Sequence, residues 1–149
     1  MLKEVFVTAR AETEIFGRVM EKDTVAAMPW HMVVSNNPLH YAISVPKEHF
    51  LAELIEKGKC FIVHFMPRSM EEKRDACLQN NGKFLDKFLQ AGFRRVEASR
   101  VDAPRIRNAL GYLECELLEK VEHGNHYLFI GKVVEKVGEK PLLEQWAIS

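Results

Sequence analysis

Leu113-Glu114-Cys115-Glu116-Leu117 sets apolar residues against charged ones with a period of two, and Tyr127 to Val134 is a second β-rich run. Between the two runs lies His123-Gly124-Asn125. Such an alternation belongs to a strand with one wet face, and a Gly-containing break between two such runs is a hairpin turn. The last third of the chain is therefore read as antiparallel sheet. Upstream, Val5-Phe6-Val7-Thr8, Leu39 to Val45 and Cys60 to Phe65 are further strands, the last apolar enough to be buried on both faces. Asp23 to Val34 is mostly apolar but carries Pro29, which belongs at an edge or a bulge because it brings no N–H to a ladder. Asn36-Asn37-Pro38 is the turn that follows.

Helical spacing interrupts these strands. Phe50, Leu51, Leu54 and Ile55 recur on one helical face, with Pro46 before the start and Gly58 just past the expected end. Ser69 to Leu78 is read as a charged helix with Ser69 as its N-cap and Glu72 three residues on. After Asn80-Asn81-Gly82, the residues Phe84, Leu85, Phe88 and Leu89 suggest a second amphipathic helix. Strands outnumber helices and no regular βαβ alternation appears, so the expected class is mainly β, an antiparallel barrel or sandwich with inserted helices.

The 149 residues make one domain, with no repeat or linker to divide them. The 21 Lys and Arg balance 21 Asp and Glu, which argues against nucleic acid or an anionic membrane as partner. No apolar run of membrane-spanning length and no signal-like leader occurs, so a cytoplasmic protein is expected. Cys60, Cys77 and Cys115 are odd in number and form no CxxC pair, consistent with free thiols in a reducing compartment.

Six histidines invite a metal site, but their spacing rejects it. Cys60 and His64, four apart on a strand, would be separated by ~13 Å at the strand rise. His123 and His126 flank a turn without a third ligand at motif spacing, so no metal is expected. No Gly-x-Ser-x-Gly elbow is present, and Cys77 on an apolar helix face reads as core. Arg94, Arg95, Arg100, Arg105 and Arg107 are interrupted by Glu97 and Asp102 and read as a solvated loop. Two strand-to-helix turns are more promising. Ser44-Val45-Pro46-Lys47-Glu48-His49 and Asn80-Asn81-Gly82-Lys83 each offer free backbone N–H groups at a helix start, which suit a phosphate. Lys47, His49, Lys83 and Lys87 add cationic donors.

The order of these segments resembles the flavin reductase-like, FMN-binding split-barrel family, especially its flavoredoxin-like and archaeal ferric-reductase-like members. The resemblance runs from Val5 to about Val137. It is carried by Asp23 to His31, with Trp30 near its end; by Asn37 to Val45; by the helix from His49 to Ile55; and by Cys77 to Asn81 with Gly82 and Asp86-Lys87-Phe88. Ala103-Pro104, Leu113-Glu114-Cys115 and Gly124 to Gly131 complete it. It implies a six-stranded split barrel, a homodimer, and one FMN per subunit near the dimer interface. By the same resemblance the flavin lies against Ala27, Met28, Pro29, Trp30, His31 and Met32. Its phosphate lies near Ser44, Val45, Lys47, His49 and Leu51 on one side and Asn81, Gly82, Lys83 and Lys87 on the other. His126 is placed at the nicotinamide of NAD(P)H or the flavin edge, as the one residue implied in catalysis. Trp146 either covers the ring or anchors a dimer contact.

The family often has Asn, Thr and Ser at the positions of Thr24, Ala27 and Pro29, a Thr at Leu51 and a Ser at Asn81. Each missing hydroxyl is worth ~0.5–1.5 kcal/mol, so flavin is expected to be held about ten- to a thousand-fold more loosely than in a typical member. The resemblance implies electron transfer from NAD(P)H or a partner redox protein through FMN to flavin, ferric iron or a protein. The alternative is a dimeric module of the same fold that binds a flavin or another small ligand without catalysis.

Overall fold

The computed structural model describes residues 1–146 and 148. Its strands are β1 (Val5–Ile15), β2 (Arg18–Met28), β3 (His31–Asn36), β4 (Leu39–Pro46), β5 (Cys60–Phe65), β6 (Arg95–Glu97), β7 (Pro104–Ile106), β8 (Gly111–His123) and β9 (His126–Gly138). The helices are α1 (Phe50–Gly58), α2 (Glu71–Leu78), α3 (Lys87–Ala91) and α4 (Lys140–Gln145). Seven strands form one antiparallel sheet in the order β2-β1-β5-β8-β9-β4-β3, while β6 and β7 form a separate hairpin.

Seven strands stand where six were expected, and Pro29 is the reason. The apolar run Asp23 to Val34 is not one strand but two: β2 ends at Met28, and β3 begins at His31. The two pieces pair with β1 and β4 and become the opposite ends of the sheet. A residue without an N–H ends a ladder readily, and here the chain turns from one edge of the sheet to the other. No ladder joins β2 to β3 among the described residues.

The sheet is covered on both faces where β1 and β5 run side by side. Val5, Val7 and Ala9 point into the main core with Phe61, Val63, Phe65, Tyr41, Ile43 and Phe129. The alternate residue Phe6 points to a second cluster with Val25, Ala27, Cys77, Phe88 and Ile106, beneath α2 and α3. Every residue of β5 is buried, because the 98–112 region covers Cys60 and Ile62 on the face opposite Phe61 and Val63. The reading of that strand as doubly buried holds, and all three cysteines are buried free thiols.

Other boundaries shift for local reasons. Ser69 caps nothing; it lies in a 3₁₀ turn (Arg68–Met70), and α2 starts behind it at Glu71. The helix expected after Gly82 begins only at Lys87, capped by the Asp86 carboxylate, which accepts from the Leu89 N–H at 3.1 Å. Phe84, Leu85 and Leu89 are exposed. Arg95 and Arg105 belong to the β6–β7 hairpin rather than to a loop. Arg95 bonds Asp23 at 2.8 Å and Asp86 at 2.6 Å, and Arg105 lies over the Tyr112 ring.

Candidate functional site

The link from β4 into α1 builds the first half of the site. His49 is extended (φ −72°, ψ 138°) and caps α1: its Nδ1 accepts from the Leu51 N–H at 3.0 Å. Below it Leu51, Leu54 and Ile55 are fully buried, each worth ~1.5–3 kcal/mol of burial, so the helix start is anchored from beneath. Asn80 reaches in from the end of α2. Its Oδ1 accepts from the Phe50 N–H at 2.9 Å and its Nδ2 donates to the Glu48 carbonyl at 3.1 Å. The amides that the sequence offers to a phosphate at this helix start are thus taken by His49 and Asn80.

One donor remains. Because Nδ1 accepts, the neutral His49 ring carries its proton on Nε2, and that nitrogen is buried with no hydrogen-bond partner among the described residues. Burial, and then the nearby Lys87 ammonium, push the His49 pKa down to about 4, so the ring stays neutral. An unpaired buried donor costs ~1–3 kcal/mol, which an acceptor entering here would recover. His49 lines a cleft of about 360 Å³ with Lys47, Glu48, Phe50, Glu53, Asn80, Lys83 and Phe84. Lys47 is paired with Glu122, while Glu53 accepts from Thr13 and from Lys57 at 3.2 Å. Lys83 makes no hydrogen bond or ion pair among the described residues, and its point charge lies in the cleft with the positive end of α1.

The second half lies against the C-terminal half of β4. Pro29, Trp30, His31, Met32, Ala42, Ser44 and Leu128 line a second cleft, also about 360 Å³ and mainly apolar. Trp30 and Met32 are 60% and 62% exposed, large apolar groups left open to water. Along β4, Ser44 lines this cleft and Lys47 the first, three residues apart. His126 pairs across from Pro46, between them in sequence, and its ring lies 4.9 Å from that of Trp30. Its Nδ1 is 2.8 Å from the Asn125 Oδ1.

Several residues that the resemblance implies do not reach either cleft. Ala27, Met28, Val45 and Leu51 point into the two cores, the first three by strand alternation and Leu51 by helical phase. Gly82 is a close-packing position, where a Cβ would strike Thr24. Lys87 is buried, and its ammonium donates to the Ala76 carbonyl and to the Asn81 Oδ1 at 2.6 Å, which spends Asn81 as well. Burial lowers the Lys87 pKa. The expected helix start at Asn81–Lys83 is a turn, so it offers no row of helix amides. His31 has both nitrogens engaged, Nε2 with the Lys3 carbonyl at 2.9 Å and Nδ1 with the Tyr41 hydroxyl at 2.7 Å. Trp146 packs over His31 and Phe65 and meets the Met1 Sδ; it does not itself line either cleft. Sequence reasoning missed Phe84 and Leu128 and read Asn80 only as part of a phosphate-binding turn; the partner of its side chain lies 30 residues away, which no local signal carries.

Residues 5–145 match the model of the flavin reductase like domain, so the chain belongs to the flavin reductase-like family. It is 30% identical over 114 residues, 76% of this chain, to an uncharacterized protein of Pyrococcus abyssi. It is 26% identical over 113 residues, 75% of this chain, to a putative diflavin flavoprotein of Nostoc. The match spans 65% of the first relative's length and 19% of the second's. Among solved structures, the flavoredoxin of Methanosarcina acetivorans superposes with a TM-score of 0.76 at 26% identity, covering 99% of this chain and 74% of that one.

Proposed function

We propose that the two clefts flanking β4 hold one FMN, and that the chain passes electrons through it from NAD(P)H or a partner redox protein to an acceptor such as flavin, ferric iron or a protein. The observation that carries this reading is the buried Nε2–H of His49, without a hydrogen-bond partner among the described residues, in a cleft that Lys83 also lines. That pair suits the phosphate, as a neutral donor and a point charge. The wall of Trp30, Met32 and Leu128 suits a planar apolar ring and would exclude water from its face. Flavin, when bound, supplies hydride and one-electron chemistry that side chains lack. His126, between the clefts, is the residue to orient a nicotinamide or donate a proton at the ring edge. The names of the relatives, a flavoredoxin and a diflavin flavoprotein, support a redox role.

A homodimer fits the same picture. The edge strand β3 and the residue before it leave Trp30, Met32 and Val34 exposed beside the second cleft, an apolar strip of the kind that marks an interface. No described helix is long and apolar enough to cross a membrane. The buried free thiols fit a reducing compartment such as the cytoplasm.

Comparing FMN with riboflavin tests the phosphate assignment. FMN should bind at least ~10-fold more tightly, and His49→Asn, which keeps a cap acceptor but withdraws the Nε2 donor, should remove most of that preference. Equal affinity for the two flavins would move the phosphate out of this cleft.

A further inference from the structure

The open end of the β6–β7 hairpin carries two arginines that the fold does not pair. The register of Arg95 opposite Ile106 continues to Arg94 opposite Arg107, and the Arg107 N–H donates to the Arg94 carbonyl at 3.1 Å. Side chains directly opposite on an antiparallel pair stand ~4.5–5.5 Å apart at Cβ, where like charges destabilise. Other arginines nearby are answered within the fold: Arg10 by Glu97 and Asp102, Arg95 by Asp23 and Asp86, Arg74 by Glu4 and Glu71, and Arg105 by the Tyr112 ring. Arg94 and Arg107 are exposed, and neither side chain has a hydrogen bond or ion pair among the described residues. They line a pocket of about 140 Å³, with Lys73, Asn108, Phe93 and Ile106 among its other walls. Lys73 is fixed there: its ammonium donates to the Ala91 carbonyl at 2.8 Å and lies 5.2 Å from the centre of the Phe93 ring. No carboxylate lines the pocket among the described residues. The acid Glu71 of α2 faces a neighbouring cleft with Arg74 instead.

We propose that this pocket binds a phosphate-sized oxyanion, free phosphate or the phosphate of a small monoester, between Arg94 and Arg107. In a chain whose formal charges sum to zero, three cations meet here without one acid. The like-charge pair is a cost to the fold that a bound anion removes. Each guanidinium fork can hold two phosphate oxygens, Lys73 adds a point charge, and Asn108 brings an amide donor. Three positive charges favour a dianion over a single carboxylate. Size sets the upper limit: about 140 Å³, against about 360 Å³ for each cleft along β4, is below the ~300 Å³ of a usual cofactor site. The pocket shares no lining residue with either cleft, so the inference does not rest on the flavin reading.

The test is calorimetric titration of the purified full chain with phosphate, glycerol 3-phosphate and acetate at constant ionic strength, with melting temperature measured alongside. Wild type should bind phosphate saturably and more tightly than acetate, and should melt higher in its presence. Arg94→Gln and Arg107→Gln should each weaken phosphate by at least about ten-fold, the loss of one charged hydrogen-bonding group. Without phosphate the same variants should melt no lower than wild type, because each relieves the like-charge pair. His49→Asn and Arg100→Gln should leave phosphate binding unchanged, which separates this pocket from the His49 cleft and from positive charge in general. Glycerol 3-phosphate binding as tightly as phosphate supports a monoester as the ligand, and binding of free phosphate alone supports the ion. Three results would overturn the proposal: no saturable phosphate binding, binding lost with His49→Asn but kept with the arginine variants, or arginine variants that melt clearly lower than wild type without phosphate.

Discussion

Two buried histidines are held neutral, His64 within the architecture and His49 beside the first cleft. His64 donates from Nδ1 to the Phe6 carbonyl at 2.8 Å and accepts the Ile106 N–H on Nε2 at 3.0 Å, tying β1 and β7 to β5. Full burial drives its pKa down to about 3, while that of His49 lies at about 4. Burial lowers His31 as well. In the unfolded chain each ring titrates near ~6.5, so below that pH the unfolded state binds more protons than the fold. Their contribution to stability is complete above ~6.5 and falls as the pH drops toward the folded values. His49 and His64 each take away up to ~1.4 kcal/mol per pH unit. Urea midpoints should therefore decline between about pH 6.5 and 4.5, before the carboxylates begin to protonate. A midpoint that stays level across that interval would contradict the neutral, buried assignment. At this scale His49 and Lys83 were legible from residue type and from their place after β4 and α2. Leu51 and Lys87 were not, because whether a side chain faces a cleft or the core depends on the phase of its element against a distant partner.

At the scale of elements, α1 lies against β1 closely enough that Gly58 carries no substitutable hydrogen. A Cβ there would overlap the Arg10 carbonyl oxygen, a backbone atom that a side-chain rotation cannot move. Helix propensity favours Ala over Gly by ~1 kcal/mol at most, whereas overpacking against backbone costs ~1–3 kcal/mol. Gly58→Ala should therefore lower stability by about 1–2 kcal/mol in denaturant unfolding, and a stabilised variant would refute the close approach. The same glycine explains a boundary. Gly58 reads as a stop signal, yet it is the last helical residue, and the left-handed cap is Lys59 at φ 60°. Packing, not capping, put glycine there. Strand positions were legible from period and apolar content, as for Leu39–Pro46 and Cys60–Phe65. Strand lengths were not: β1, β8 and β9 run on through charged residues, such as Glu119–Glu122 in β8, because their partners supply the ladder. The β6–β7 hairpin is held by Arg95–Asp23, Arg95–Asp86 and Arg10–Glu97 ion pairs, contacts between residues far apart in sequence.

For the whole molecule, Pro29 links the local to the global. It ends β2, sends the chain to the far edge of the sheet, and so delivers Trp30 and Met32 to β4 and His126. The apolar cleft and the cleft lined by His49 and Lys83 then lie along one strand and the turn that follows it. The flavin reductase-like family was legible from the order of short segments, none decisive alone. What the order could not convey is that several of those positions, Ala27, Val45 and Gly82 among them, are closely packed in the interior. The proposed function stands on flavin binding by these two clefts. Its most direct test is the visible spectrum of the protein mixed with FMN and passed through gel filtration. A retained flavin band at about one per chain, eluting at the mass of a dimer, is the expected result. Colourless protein under the same conditions would contradict it.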